Sequence, residues 1–401
     1  MLQSPLVLLR RLPRTVQILV IGTLVNRLGT FILPFLTLVL TREFAMTGAK
    51  AGLLLTMYGI GSLVSILAGG MLTDMMGRRQ TALLSLVGSG ALAVALAFAP
   101  SAGFLIPVLL FFGFLGDLYR PASSAIIGDV LPSKDRAVGF SALRVAVNLG
   151  FAFGAGIGGF IVDWNWRVLF AADGVTTLLF AGVVYFGIPE TRGLATNLNS
   201  TQPAPQAIAR DYVYHGLLFG SFSFAMVIFS LFTVLPLTIT DSARYPTSMY
   251  GVLIAVNGVL ITLCEVSAVA WLQRYRRLRV AALGFVLAGL GFGLIGLFMH
   301  WTWFLLAVLL GAVAEMMVLP QQMSFLADWA PPEARGRYLG LFGATWSLAL
   351  IVNPVLLLPL HAALPESAFW PLLLVLLLPA ALVVRHLDMR ADRPERLRGS
   401  A

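Results

Sequence analysis

Long apolar runs recur along the whole chain, and they constrain its fold more than any other feature. A membrane-spanning helix needs about 20 mostly apolar residues. Twelve such segments fit into the 401 residues, with approximate limits 15–40, 49–72, 80–100, 103–131, 138–162, 167–188, 213–240, 248–272, 279–299, 302–329, 337–360 and 368–386. Only 11% of the residues are charged, against about 25% in soluble domains. The sequence therefore predicts an all-α integral membrane protein with twelve transmembrane helices.

The distribution of basic residues predicts the orientation in the membrane. With the amino terminus in the cytoplasm, 20 of the 27 Lys and Arg fall in cytoplasmic segments, 4 in external loops and 3 within spans. Basic residues collect in cytoplasmic loops of membrane proteins, so both termini are predicted to be cytoplasmic. The same rule accounts for the net charge of +9 without a nucleic-acid partner. The preference for Arg over Lys is typical of a GC-rich bacterial genome, which indicates a bacterial inner or plasma membrane.

The chain carries an internal repeat with one offset of 199 residues. That offset relates the pairs Arg78 and Arg277, Pro121 and Pro320, Asp129 and Asp328, and Gly52 and Gly251. We predict two pseudo-symmetric six-helix halves over 1–188 and 212–387, joined by a polar cytoplasmic linker over 189–211 and followed by a tail over 388–401. Transporters built from such repeats commonly bind substrate between the halves and move one half against the other.

The loop after the second span reads G-M-L-T-D-M-M-G-R-R over 70–79. Gly77 permits a tight turn, and Arg78 can reach Asp129 at the end of span 4. The loop resembles the loop motif of the major facilitator superfamily, with Met75 where a basic residue is usual. The resemblance implies the two-half fold of that family and a cytoplasmic latch for the outward-facing state, in which Asp74 meets the amino end of span 11. The residues assigned to the latch are Gly70, Asp74, Gly77, Arg78, Arg79, Asp129, Arg136 and Arg144.

A glycine-rich stretch in span 5 has the Gly-x-Gly-x-x-Gly spacing of a dinucleotide-binding loop at 154–159. Such a loop must follow a strand and open a helix, whereas this stretch lies inside an apolar run of about 25 residues. We therefore predict no cofactor. As a helix, the stretch places Gly150, Gly154 and Gly158 on one face, where small residues allow two helices to pack closely.

The same stretch resembles the span-5 antiporter motif of drug:proton exporters in that superfamily. The matching residues are Gly150, Gly154, Gly158 and Gly159, and Ala155 replaces the proline of the motif. The stretch from Tyr119 to Arg136 also resembles bacterial multidrug-efflux members, in which an arginine at the position of Arg120 is assigned to proton coupling. The resemblance implies proton-coupled export; close packing in another transporter of this fold is the alternative.

Several charged or amide side chains lie within the apolar spans, where a charge costs at least ~2.5–3.5 kcal/mol and marks a functional candidate. Asp117 and Arg120 are three residues apart and can pair across one helical turn. We expect the proton-coupling and central-cavity residues among six side chains within the spans: Asn26, Arg27, Asp117, Arg120, Asp173 and Glu315. Asp117 with Arg120 and Arg27, or Glu315, is the expected proton carrier. A carboxyl group that gains and loses an arginine partner would bind and release a proton. A static ion pair that fixes helix packing is the alternative for each.

The resemblance and the buried charges together predict a secondary active transporter that exports small lipophilic or cationic compounds by alternating access. Its expected partners are the small-molecule substrate, protons and the lipid bilayer, and it is expected to be a monomer. A metabolite importer or facilitator, or a lysolipid flippase, on the same fold is the alternative. The sequence has one cysteine, Cys264, and no zinc-site spacing, nucleophile elbow or P-loop, so neither a metal nor an enzymatic activity is predicted.

Overall fold

The structure is a computed structural model that describes residues 12–191, 211–331 and 335–391. These ranges are helical almost throughout and contain no strand. The helices are α1 Arg14–Arg42, α2 Gly48–Met76, α3 Arg78–Ala97, α4 Ala102–Val130, α5 133–164, α6 166–187, α7 Tyr212–Ser242, α8 Thr247–Leu272, α9 Arg277–Gly293, α10 Trp301–Trp329, α11 Arg335–Ala363 and α12 Glu366–Ala391. The linker predicted over 189–211 and the tail predicted over 388–401 lie mostly outside the described residues.

Helices α5 and α6 are separate spans although helical hydrogen bonding runs from Ser133 to Gly187. Asn165 between them has an extended backbone, with φ −163° and ψ 100°. Its side-chain oxygen accepts hydrogen bonds from the backbone N–H of Arg167 at 2.9 Å and of Val168 at 3.4 Å. Asn165 therefore caps the start of α6, as short polar side chains do at helix amino termini.

Contacts with α1 show that the chain reverses direction at Asn165. Along α5, glycines 150, 154 and 158 lie against α1 in ascending order, from residue 24 to residue 35. Along α6, residues 177, 180 and 187 lie against α1 in descending order, from residue 26 to residue 18. The two helices therefore run antiparallel, as two consecutive membrane spans must.

Ten continuous helical segments of the described residues are long and apolar enough to cross a membrane. One of them contains both α5 and α6, and α9 adds a further, shorter helix of 17 residues. The predicted all-α fold with twelve transmembrane helices is confirmed.

Helices α1 and α4 are interrupted near a proline, and so is α7, at Val234 before Pro236. The sequence predicts single spans over 15–40 and 103–131, whereas α1 breaks between Leu28 and Ile32 and α4 breaks at Leu118. A proline ring clashes with the carbonyl four residues earlier and removes one helical hydrogen bond. Pro34 and Pro121 stand four residues after Thr30 and Asp117, respectively. The breaks in α1 and α4 adjoin Arg27 and Asp117, which are among the charged residues singled out within the spans.

The chain divides into two compact units. Unit 1 consists of Met1–Leu198, Phe232–Thr262 and Pro354–Pro359, and unit 2 consists of Asn199–Leu231, Leu263–Asn353 and Leu360–Ala401. Unit 1 therefore contains helices α1 to α6 and also one end of α7, most of α8 and a short part of α11. The boundary between the two predicted halves, at 189–211, stays a prediction.

Glycines on one face of α5 allow it to approach α1 closely within unit 1. A Cβ atom on Gly150 would lie 2.6 Å from Cβ of Arg27 and 2.7 Å from the carbonyl oxygen of Leu24. A Cβ atom on Gly154 would lie 2.9 Å from the carbonyl oxygens of Arg27 and Leu28. The predicted close packing on this glycine face is confirmed, and the partner helix is α1.

Gly150→Ala is expected to lower the free energy of unfolding by about 1–3 kcal/mol, because overpacking forces the backbones of α1 and α5 apart. Gly182→Ala is the matched control, since a Cβ atom on Gly182 in α6 meets no described atom within 4 Å. Thermal unfolding of both purified variants in the same detergent measures the difference. Equal transition temperatures for the two variants would contradict the packing assigned to α5.

Candidate functional site

A cavity of 490 Å³ lies among the helices of unit 1. Its wall includes charged residues from α1, α4 and α6 and aromatic residues from α2, α4 and α5. Five of the six predicted proton-coupling residues line it: Asn26, Arg27, Asp117, Arg120 and Asp173. The cavity falls within the 300–1,000 Å³ range typical of small-molecule sites, which are mainly apolar with a few polar groups.

Asp117 is one of two carboxylates that line this cavity. Its Oδ1 pairs with Nε of Arg120 at 3.0 Å, which confirms the predicted pairing across one turn. The hydroxyl of Ser62, on α2, donates to Oδ2 of the same carboxylate. The side chain of Asp117 is 9% exposed and that of Arg120, which lines the cavity, is 65% exposed, so the pair joins a buried acid to a base that is little covered by protein.

Arg27 lines the same cavity on α1, directly before the helix break. Its Nε is buried and has no hydrogen-bond partner among the described residues. Buried polar groups are nearly always hydrogen-bonded, so an unpartnered guanidinium nitrogen requires an explanation. Arg27 thus offers a hydrogen-bond donor and a positive charge beside the cavity.

Asp173, on α6, accepts hydrogen bonds from the helix break in α1. The backbone N–H groups of Phe31 and Ile32 donate to its Oδ2 at 3.2 and 3.4 Å. These groups belong to the start of the second segment of α1, where the helix dipole favours a negative charge. Asn26, before the break, donates from Nδ2 to Oγ1 of Thr177 at 2.7 Å. Both side chains therefore tie α1 to α6 where α1 is interrupted.

Glu315, the sixth predicted proton-coupling residue, lies in α10 and belongs to unit 2. It does not line the cavity described in unit 1. Its assignment to proton coupling stays a prediction, for which Glu315→Gln is the test.

The loop motif after α2 forms a compact ionic cluster within unit 1. Nε of Arg78 donates to Oδ2 of Asp129 at 2.9 Å, which confirms the predicted contact, and Arg78 also pairs with Asp74 at 3.1 Å. The hydroxyl of Thr191 donates to the same oxygen of Asp129 at 3.0 Å. Gly77 has a φ of +102°, a conformation that suits glycine and allows the chain to turn sharply from α2 into α3.

Glu190, which follows α6, completes this cluster. Its carboxylate accepts hydrogen bonds from the backbone N–H of Arg78 at 2.8 Å and of Arg79 at 3.1 Å. It therefore caps the amino terminus of α3, and its charge opposes the positive end of that helix dipole. The sequence assigns Glu190 to the polar linker and gives it no role, because the contact depends on two helices that are distant in the chain.

The remaining residues assigned to the latch take different positions. Arg79 donates to the backbone carbonyl of Tyr185, and its guanidinium lies 4.9 Å from the centre of that ring. Arg136 donates from Nε to the backbone carbonyl of Leu131 at 3.1 Å. Gly70 is exposed, and a Cβ atom there would meet no described atom within 4 Å. Arg144 is exposed on α5, and its place in the latch stays a prediction.

Unit 2 contains the repeat counterpart of the ion pair between Arg78 and Asp129. Arg277 pairs with Asp328, and each residue stands 199 positions after its counterpart. The two pairs differ in burial: the side chains are 14% and 6% exposed in the first pair and 40% and 69% exposed in the second. The internal repeat therefore places equivalent ionic contacts in each unit, with only the first one buried.

A family model described as Major Facilitator Superfamily matches residues 19–268 and 217–400 of the chain. The chain belongs to the major facilitator superfamily. It is therefore a multi-pass membrane transporter and not an enzyme.

The relatives of this chain include transporters of different kinds. The chain is 28% identical to the "Uncharacterized MFS-type transporter YttB" of Bacillus subtilis (strain 168), covering 86% of this chain and 87% of the relative. It is 26% identical to a Na(+), Li(+), K(+)/H(+) antiporter of Planococcus maritimus, covering 85% and 88%. It is also 26% identical over 148 residues to the quinolone resistance protein NorA of Staphylococcus aureus (strain MRSA252), covering 37% of this chain and 38% of NorA.

Among solved structures, a POT family transporter in complex with 5-aminolevulinic acid is similar with a TM-score of 0.81. The alignment covers 95% of this chain and 99% of that one at 15% sequence identity. This likeness supports the transporter fold alone.

Proposed function

We propose that this protein exports small lipophilic compounds, charged ones included, in exchange for protons by alternating access. The observation that carries the proposal is the cavity of unit 1, in which a buried carboxylate, Asp117, pairs with an arginine that lines the cavity, Arg120. A buried charge inside a membrane is costly, and one that can change partner is suited to proton relay. The antiporter and quinolone-resistance relatives support the direction and the type of coupling.

The interruptions of α1 and α4 support the same proposal. Transporters commonly build substrate and ion sites from broken helices, whose free backbone groups line a cavity. Here the α1 break adjoins Arg27 and the α4 break adjoins Asp117. We further propose that the loop cluster around Arg78 stabilises one of the alternating states, and that both termini are cytoplasmic.

Transport by the purified protein in proteoliposomes tests the proposal. With an imposed proton gradient, we expect movement of ethidium, norfloxacin or both against their concentration gradients, and loss of that movement when a protonophore dissipates the gradient. The matching test in cells compares a deletion strain with an overexpressing strain. A flat resistance profile across lipophilic cations and antibiotics, with no gradient-driven transport, would favour a metabolite carrier or a lysolipid flippase instead.

A further inference from the structure

We infer that the cavity of unit 1 recognises ampholytes, that is, small aromatic compounds carrying both a carboxylate and an ammonium group. Arg27 receives the carboxylate and Asp117 receives the ammonium. The inference rests on the proposed function, because it names the class of compound that the same cavity carries.

The charged groups of the cavity are unequally engaged, which is the basis of this inference. Asp173 already accepts two backbone N–H groups of α1, so its acceptor capacity serves the fold. Asp117 is held by Ser62 and by Arg120, whose side chain is 65% exposed and is therefore little confined by packing. Arg27 alone retains a buried donor without a partner among the described residues. The cavity therefore has one open site for an anion and one carboxylate that can exchange its cation.

The geometry of a guanidinium group suits a carboxylate at Arg27. Because Nε is buried, the edge formed by the two Nη atoms is the one that can present two N–H donors to the cavity, and a carboxylate accepts both at once. An ammonium group, a compact point charge with three donors, can replace the Arg120 guanidinium at Asp117. Tyr58 and Phe112, whose ring centres are 5.9 Å apart, provide an aromatic wall of the same cavity. An aromatic body between two opposite charges fits this arrangement.

An ampholyte also fits exchange against protons. A lone anion at Arg27 would favour protonation of the nearby carboxyl group, so an anionic substrate and a proton would bind together. An ampholyte has no net charge, so its ammonium group largely cancels the influence of its carboxylate on protonation of that carboxyl group. Its ammonium group then competes directly with the proton for Asp117, as exchange requires.

Binding of matched compounds to the purified full-length protein tests the inference. The probes are norfloxacin, its methyl ester, which lacks the anion, and its N-acetyl derivative, which lacks the cation; 4-(aminomethyl)benzoate and its two corresponding derivatives form a second series. We expect at least one parent ampholyte to bind about 10- to 100-fold more tightly than both of its derivatives, as expected for charge-assisted hydrogen bonds. If neither parent exceeds its derivatives, the inference is wrong.

A variant of Arg27 tests the assignment of the ligand carboxylate to that residue. Arg27→Gln should reduce binding of the parent and of the N-acetyl derivative by about 10-fold or more while leaving the methyl ester unchanged. Arg167→Gln is the matched control, because Arg167 is exposed at the turn between α5 and α6 and does not line the cavity. If Arg27→Gln does not fold, binding of the two ligand series to the wild-type protein still tests whether the cavity prefers ampholytes. If the protein transports ethidium with the gradient but shows no preference for ampholytes, this inference is wrong and the proposed function stands. If no compound is transported with the gradient, the proposed function is wrong.

Discussion

Asp117→Asn is expected to lower transport driven by a proton gradient by about 100-fold, while exchange of labelled compound at equilibrium continues. Asparagine keeps the shape of the side chain and a hydrogen-bond acceptor for Ser62, but it cannot bind and release a proton. It also leaves Arg120 without its carboxylate partner. Positioned side chains that transfer protons typically contribute about 10²–10⁴-fold to a rate, and the lower end of that range sets the expected size of the effect.

Two further variants make the Asp117 experiment specific. Ser62→Ala removes one hydrogen bond to Asp117 and keeps the carboxylate, so gradient-driven transport should fall by less than about tenfold. Glu315→Gln tests the acid that lies in unit 2. If proton-driven transport of ethidium and norfloxacin is unchanged in both Asp117→Asn and Glu315→Gln, neither carboxyl group carries the proton. The pair of Asp117 and Arg120 would then be a static contact that fixes helix packing.

Asp129→Asn is expected to lower the free energy of unfolding by about 3–5 kcal/mol, because it leaves the nearly buried Arg78 without its main counter-charge. The internal repeat supplies the matched control. Asp328→Asn breaks the equivalent pair with Arg277, whose side chains are 40% and 69% exposed. Exposed ion pairs contribute about 0–1 kcal/mol, so this second variant should be nearly neutral.

Thermal or denaturant unfolding of both variants in one detergent measures this difference, and Asp129→Glu tests whether restoring the charge restores stability. A large loss of stability at both positions, or at Asp328 alone, would contradict the claim that the buried ion pair stabilises the protein more than the exposed one. Asp129 also accepts a hydrogen bond from the hydroxyl of Thr191. Thr191→Val should therefore lower the free energy of unfolding, but by less than Asp129→Asn does. The two aspartates have the same place in the repeat, so any difference between them reports their surroundings.

Much of the fold could be predicted from local sequence properties. Apolar length alone identified all twelve spans, and the polar residues around Asn165 separated α5 from α6. The offset of 199 residues paired Arg78 with Arg277 and Asp129 with Asp328, and both ion pairs form. Glycines repeating every four residues predicted a close helix contact. In each case the signal is a periodic or compositional property that the chain carries locally.

The contacts that complete the cavity and the loop cluster could not be predicted in the same way. Ser62 meets Asp117 from 55 positions earlier in the chain, Thr177 meets Asn26 from 151 positions away, and Glu190 meets Arg78 from 112 positions away. Serine, threonine and glutamate are common residues, and nothing in their local sequence marks these three. The breaks in α1 and α4 did have a signal, since Pro34 and Pro121 each remove a helical hydrogen bond.

The most direct test of proton coupling through Asp117 is proton release from the purified protein in lightly buffered detergent solution when ethidium or norfloxacin is added. We expect the wild-type protein to release protons on binding, and Asp117→Asn to release none even when the concentration of the compound is raised until the variant is saturated. Binding to the wild type without proton release, or equal release from both proteins, would contradict the central claim.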